Sequence, residues 1–210
     1  MFNGKMPVII LKDQKYFYPE NPTDKLLSLS CFTFVSIKIN NIKIMTTTAT
    51  TTKPFITAEQ ILEHWQGHRN LTRRVIEAFP EKELFEFSIG GMRPFAKLAV
   101  ELISIGGPGT KGIVENQMEA YDEEKFNPTI KEELLKKWDE ETETINRYFT
   151  QISEERFQEN FNLFGQYEFP VYQNILYFID NEVHHRGQGY TYLRALGIEP
   201  PFFWERFPVM

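Results

Sequence analysis

The chain carries one cysteine in 210 residues, Cys31. A lone cysteine excludes an internal disulfide framework and every zinc ribbon built on paired thiolates. It fits a reducing compartment, and a cytoplasmic location is the expectation. Long apolar runs are also missing. No window approaches the ~18 residues that a membrane-crossing helix needs, and the nearest, Leu26 to Ile37, is short and rich in Ser and Thr. A compact basic start and small residues at a cleavage position are absent too, which argues against a secretory signal. The chain lacks an excess of positive charge. Its net charge is -6 and no patch of Lys and Arg is visible, so nucleic acid is not an expected partner. There is no phosphate loop: Gly106-Gly107-Pro108-Gly109-Thr110-Lys111-Gly112 follows a helical stretch and lacks the Gly-Lys-Ser/Thr ending. No serine has a motif context that would build a nucleophilic triad.

What is present supports a folded core. Hydrophobic residues make up 41% of the chain and aromatics 15%, with nineteen Phe, well above the composition of disordered segments. Residues 1–44 stand apart, rich in Ile, Lys, Asn and Ser and without helical period. Met45 then opens a threonine tract, Thr46-Thr47-Thr48-Ala49-Thr50-Thr51-Thr52, which has nothing to bury. The expected organisation is a flexible N-terminal extension over 1–53 and a folded domain over 54–210. A rival reading makes Phe32 to Ile39 a strand of a small β-rich appendage, because it alternates.

The domain reads as four helices. Thr57 with Gln60 forms a capping box. Behind it Ile61, Leu62, Trp65, Thr72, Val75, Ile76 and Phe79 recur at helical spacing until Pro80. A second helix is expected from Arg93-Pro94, with Phe95, Leu98, Ala99, Leu102 and Ile105 as its stripe, and the glycines from Gly106 are expected to stop it. A long polar connection leads to a third helix over roughly Ile130 to Ile152, packed through Leu134, Leu135, Trp138, Ile145 and Phe149, with Glu140, Glu141 and Glu143 on a solvated face. A Phe-rich link over 153–169 precedes the last helix, Pro170 to Leu196. The expected fold is all-α, a four-helix bundle with one long crossover connection.

Two constellations carry candidate chemistry. In the last helix Asn181 and His185 stand at i and i+4, on a stripe with Asn174, Phe178, Gln188 and Tyr192 and beside an apolar one of Val171, Ile175, Ile179 and Val183. Polar groups at a buried seam need partners, since an unpaired one costs about 1–3 kcal/mol. A pocket, a metal or a hydrogen-bond network each satisfies them. In the first helix His64 and His68 have the same spacing, but Trp65-Gln66-Gly67 lies between them and the catalytic Glu of a zincin is missing. His68 projects toward the interior and His64 toward the edge. His184 points away from His185, toward solvent or Asp180. Arg186 and Arg194 are expected to pair with acids of other helices, and Gly187 to permit close helix contact.

The segment Glu182, His185, Arg186, Gly187, Gln188, then Tyr192, Leu193, Arg194, Leu196, Gly197, Pro200 and Pro201 resembles the closing helix of the DinB/YfiT-like family. The resemblance covers roughly 55–204 and implies that family's helical bundle. It also implies a metal site of three histidines, two on the last helix and one late in the second. At those places this chain has Asn181, His185 and, by spacing, Glu101. The set Glu101, Asn181 and His185 is therefore the candidate metal site, and Glu101 the candidate catalytic base. Three imidazoles suit zinc or nickel, whereas a carboxylate, an amide and one imidazole lean toward manganese, iron or magnesium. The family contains metal-dependent transferases that use low-molecular-weight thiols. By resemblance the expectation is such an enzyme, acting on a small molecule with a divalent ion (zinc, nickel, manganese or iron) and a thiol. The alternative is a non-catalytic bundle, small-molecule-binding or stress-associated, in which Glu101, Asn181 and His185 bond to one another and no metal is held. A homodimer is expected in either case, and no membrane partner.

Overall fold

The structure, a computed structural model, describes residues 55–117 and 120–207. The expected N-terminal extension and the strand-like segment Phe32 to Ile39 lie outside the described residues. The order of elements is α1 (Ala58–Ala78), α2 (Glu81–Glu86), α3 (Phe95–Glu115), α4 (Lys131–Phe149), β1 (Asn160–Leu163), β2 (Tyr167–Pro170) and α5 (Val171–Ala195). The domain is mostly helical. No helix among the described residues is long and apolar enough to cross a membrane.

Local chemistry sets the boundaries. Thr57 accepts from the Gln60 amide at 3.2 Å while the Gln60 side chain accepts from the Thr57 amide at 2.9 Å, the reciprocal capping box the sequence predicts. Pro80 follows the end of α1, and Pro94 immediately precedes α3. At the end of α5, Gly197 takes φ 76°, and the Ile198 amide reaches back to the Leu193 carbonyl at 2.8 Å. A left-handed glycine of this kind satisfies carbonyls that the last helical turn leaves open.

α3 runs straight through Gly106-Gly107-Pro108-Gly109 and ends six residues later at Glu115. The expected stop at these residues is thus overturned, and packing is the reason. A Cβ at Gly109 would lie 2.5 Å from the Phe178 ring of α5, and one at Gly107 would collide with the Glu141 carboxylate of α4. The small residues are where neighbouring helices approach the backbone of α3, and tertiary contact overrides weak helix propensity. Glu141 is accordingly only 12% exposed and pairs with Lys137 at 2.8 Å, so the acidic face of α4 is not wholly solvated.

Two further differences concern the links. α2 is a short extra helix, and the Phe-rich link holds an antiparallel hairpin in which Leu163 faces Tyr167. Asn174 Nδ2 donates to the Phe161 and Phe169 carbonyls at 3.2 and 3.4 Å, tying the hairpin to the first turn of α5.

α3 packs on α4 and α5, and α1 packs on α4 and α5. The core has two apolar parts. Val75, Ile76, Phe79, Phe95, Leu98, Leu134, Trp138 and Tyr192 belong to one; Trp65, Ile105, Ile145, Phe149, Ile175 and Phe178 belong to the other. Along both α1 and α5 a set of buried polar residues falls between the two parts in sequence: His68, Arg69 and Thr72, then Glu182, His185 and Arg186.

Candidate functional site

α3 and α5 bring Glu101, Asn181 and His185 to one point. His185 Nε2 donates to Glu101 Oε1 at 3.0 Å, and Asn181 Nδ2 donates to the same oxygen at 3.3 Å. The second carboxylate oxygen is taken by the Arg93 guanidinium. Burial pushes the Glu101 carboxyl up, but hydrogen bonds from His185 and Arg93 outweigh it and hold it down at about 2. Glu101 is thus an ionised carboxylate at neutral pH.

Each partner is positioned in turn. His185 Nδ1 faces Gln188 Oε1 at 2.9 Å, one helical turn on, so both ring nitrogens face acceptor oxygens. Arg93 stands just before α3, where the Tyr192 hydroxyl donates to its backbone carbonyl at 3.0 Å. Its guanidinium also reaches Glu123 at 3.3 Å. Tyr121 and Tyr177 lie within electrostatic reach of the carboxylate. Burial raises both phenols first; Glu123 and then Glu101 add to the rise at Tyr121, and Glu101 adds to it at Tyr177. The site is half open: the Glu101 side chain is 16% exposed and that of Arg93 43%.

Arg93 is the member that sequence reasoning misses. It lies outside the helical period of α3, and no motif marks it. His184 is exposed and stands 3.5 Å from Gln188 Nε2, not on Asp180. His68 is buried but does not join His185; its Nδ1 accepts from Arg186 at 2.9 Å and its Nε2 lies 3.1 Å from His64 Nε2. Arg186 thus bonds to an imidazole and to Thr72, at 3.2 Å, not to an acid as expected. Gly187 is exposed with nothing within 4 Å of a Cβ; the close approach is at Gly189, where a Cβ would strike the Phe95 ring.

A second polar cluster lies on the neighbouring face of α5. Glu182 accepts from Thr72 Oγ1 at 2.7 Å and Trp65 Nε1 at 3.3 Å, and pairs with Arg69 at 3.6 Å. Arg69 lies over the Trp138 ring at 3.3 Å. The apolar stripe of α5 therefore continues through Glu182, which is 2% exposed, and not through Val183, which is 41% exposed.

As they stand, the donors at Glu101 are spent on one another. Among the described residues no group of three or more His, Cys, Asp or Glu side chains is arranged to hold a metal. Asn181 turns its N–H toward Glu101, and a guanidinium occupies the second oxygen. An amide oxygen is moreover a poor ligand for such ions.

Comparisons bear on the fold. The DinB family model matches residues 45–207. A crystal structure of a DinB-like protein from Bacillus cereus ATCC 10987 is similar, with TM-score 0.57 and 15% identity over 68% of this chain and 95% of that one. A DinB-like protein from Bacillus subtilis gives TM-score 0.54 and 20% identity, over 69% and 97%. No curated protein matches the sequence. With the family match spanning most of its length, and the helical fold shared with these two structures, the chain belongs to the DinB family.

Proposed function

We propose that this DinB-family protein is a small-molecule-binding scaffold in which a guanidinium, not a metal ion, balances the carboxylate between α3 and α5. One observation carries this reading: the two oxygens of Glu101 accept from Arg93, His185 and Asn181 together. An oxygen pair satisfied by three donors, one of them a guanidinium, has no need of a metal cation. The half-open rim, with Tyr121, Tyr177, Arg93 and His184 around it, suits a small polar ligand. Homodimer formation belongs to the same reading, supported by the exposed apolar residues Tyr172, Leu176 and Val183 of α5.

A second reading keeps a metal-dependent transferase that uses a low-molecular-weight thiol, with Glu101, Asn181 and His185 as ligands and Glu101 as base. It is favoured by their convergence and by Gln188 holding His185 Nδ1, a contact of the kind that orients metal-binding imidazoles. Elemental analysis and calorimetry with zinc, nickel and manganese decide between the two. The scaffold reading expects no stoichiometric metal in the purified protein and a gain in zinc or nickel affinity for Arg93→Met combined with Asn181→His. Stoichiometric metal in the native protein, lost in His185→Ala, would establish the transferase's ion and end the scaffold reading.

A further inference from the structure

His64 and His68, which the α3–α5 site does not use, lie beneath the C-terminal segment. After α5 the chain returns across α1. Asn70 Nδ2 donates to the Arg206 carbonyl at 2.7 Å, and Arg74 Nη1 to the Glu205 carbonyl at 2.8 Å. The seat is Gly67, where a Cβ would come within 2.9 Å of the Phe207 ring. This fixes Arg206 over His64. Three contacts then run in series: Arg186 Nη2 to His68 Nδ1 at 2.9 Å, His68 Nε2 to His64 Nε2 at 3.1 Å, and His64 Nδ1 to Arg206 Nη1 at 2.8 Å.

Counting protons along this series gives a surplus. A guanidinium only donates, so each Nδ1 at the ends must be bare. A neutral imidazole with a bare Nδ1 carries its proton on Nε2. Both Nε2–H groups therefore meet in the middle, two donors with no acceptor. Protonating either ring makes this worse. Burial, then the arginines, lower the basicity of both imidazoles, His68 to about 3. The nearby carboxylates are already engaged: Glu205 with Arg74 at 3.4 Å, and Glu182 with Arg69, Thr72 and Trp65. The cluster thus combines two guanidiniums and two unmatched N–H groups, and it opens to solvent at the exposed edge of His64.

We propose that His64, His68, Arg186 and Arg206 form a binding site for a small oxyanion of the phosphate or sulfate type. One anion oxygen accepts from both Nε2–H groups, and the two guanidiniums supply the opposing charge. An acceptor at this point resolves the surplus proton, and charge-assisted bonds to an oxyanion are the stronger kind. The site joins α1, α5 and the C-terminal segment, so occupancy fastens that segment down.

Calorimetric titration of the full-length protein with inorganic phosphate, and separately with sulfate, tests this at pH 7.5 and an ionic strength held constant with chloride. Saturable one-to-one binding is expected for both anions, weakened about tenfold or more (about 1.4 kcal/mol) in His64→Phe and in Arg206→Gln. Should His64→Phe not fold, Arg206→Gln, beyond the last helix, carries the test. Imidazole nitrogen spectra of the phosphate-bound protein are expected to report the Nε2–H tautomer for both His64 and His68. Heats no larger than those of chloride, binding that neither variant alters, or an Nδ1–H tautomer at either ring would overturn the proposal.

Discussion

Within little more than one turn of α5 two polar clusters are built from neighbouring residues, and they handle charge differently. Asn181 and His185 face α3 and meet Glu101, whose side chain is 16% exposed and shares an arginine that reaches solvent. Glu182 faces α1, where it meets Arg69, and the two side chains are 2% and 1% exposed. The first cluster is a rim whose cation can leave. The second is sealed, and each of its charges depends on the others. Ligand chemistry belongs where desolvation is partial and a partner can be exchanged, and stability where it is complete.

The contrast breaks most sharply at Glu182. Replacing it by Ala strands the Arg69 guanidinium in the core, and a loss of about 3–5 kcal/mol is expected in urea unfolding. Glu101→Ala, measured the same way, is expected to cost less, because Arg93 retains Glu123 and water. A loss at Glu101 equal to that at Glu182 would erase the distinction.

Glycines on the same helix sharpen it. Gly189→Ala drives a methyl into the Phe95 ring, and a cost of about 1–3 kcal/mol is expected. Gly187→Ala meets open space and is expected to stabilise by about 0.5–1 kcal/mol. Thermal melts of the two variants are expected to move in opposite directions.

Acid separates the regions by pH. His68 has its folded value lowered, so its contribution is complete above the unfolded value of 6.5 and is lost as pH falls from there toward about 3. Glu101 is also lowered, so its contribution is complete above 4.5 and is lost as pH falls toward about 2. Melting temperature against pH is therefore expected to decline in two stages. His68→Gln is expected to flatten the first and Glu101→Gln the second. The smallest effect is expected for Arg93→Met, at most about 1 kcal/mol of stability, since the pair it breaks is half exposed.

How much of this was legible in the sequence differs by element. Helix ends marked by a cap or a proline, such as Thr57 with Gln60, Pro80 and Pro94, read correctly because those signals act within a few residues. The continuation of α3 through Gly106 to Gly109 did not, because its cause is the approach of Phe178 and Glu141 from other helices. The hairpin stayed hidden because only one of its two left-handed turn residues, Gly165 at φ 71°, carries a turn signal, while the other is Phe164 at φ 54°. At the rim, the family resemblance, carried along α3 by spacing, led to Glu101 and its meeting with His185. Arg93 was invisible, since an ion pair from outside the helical period leaves no pattern. The sealed cluster was half visible: Trp65 and Thr72 fall on the stripe of α1, but the charged Arg69 between them was passed over, and on α5 apolarity pointed to Val183 when the inward position was Glu182.

The passage of α3 through three glycines and a proline has a consequence for the order of assembly. Those residues handicap an isolated helix by on the order of 6 kcal/mol relative to alanine, and Pro108 leaves one carbonyl of the preceding turn without its amide partner. The stretch from Gly106 to Glu115 gains its shape only when α4 and α5 close around it. Its amides are then expected to exchange with deuterium whenever α4 or α5 opens, no later than those of α4, whose sequence holds no glycine or proline.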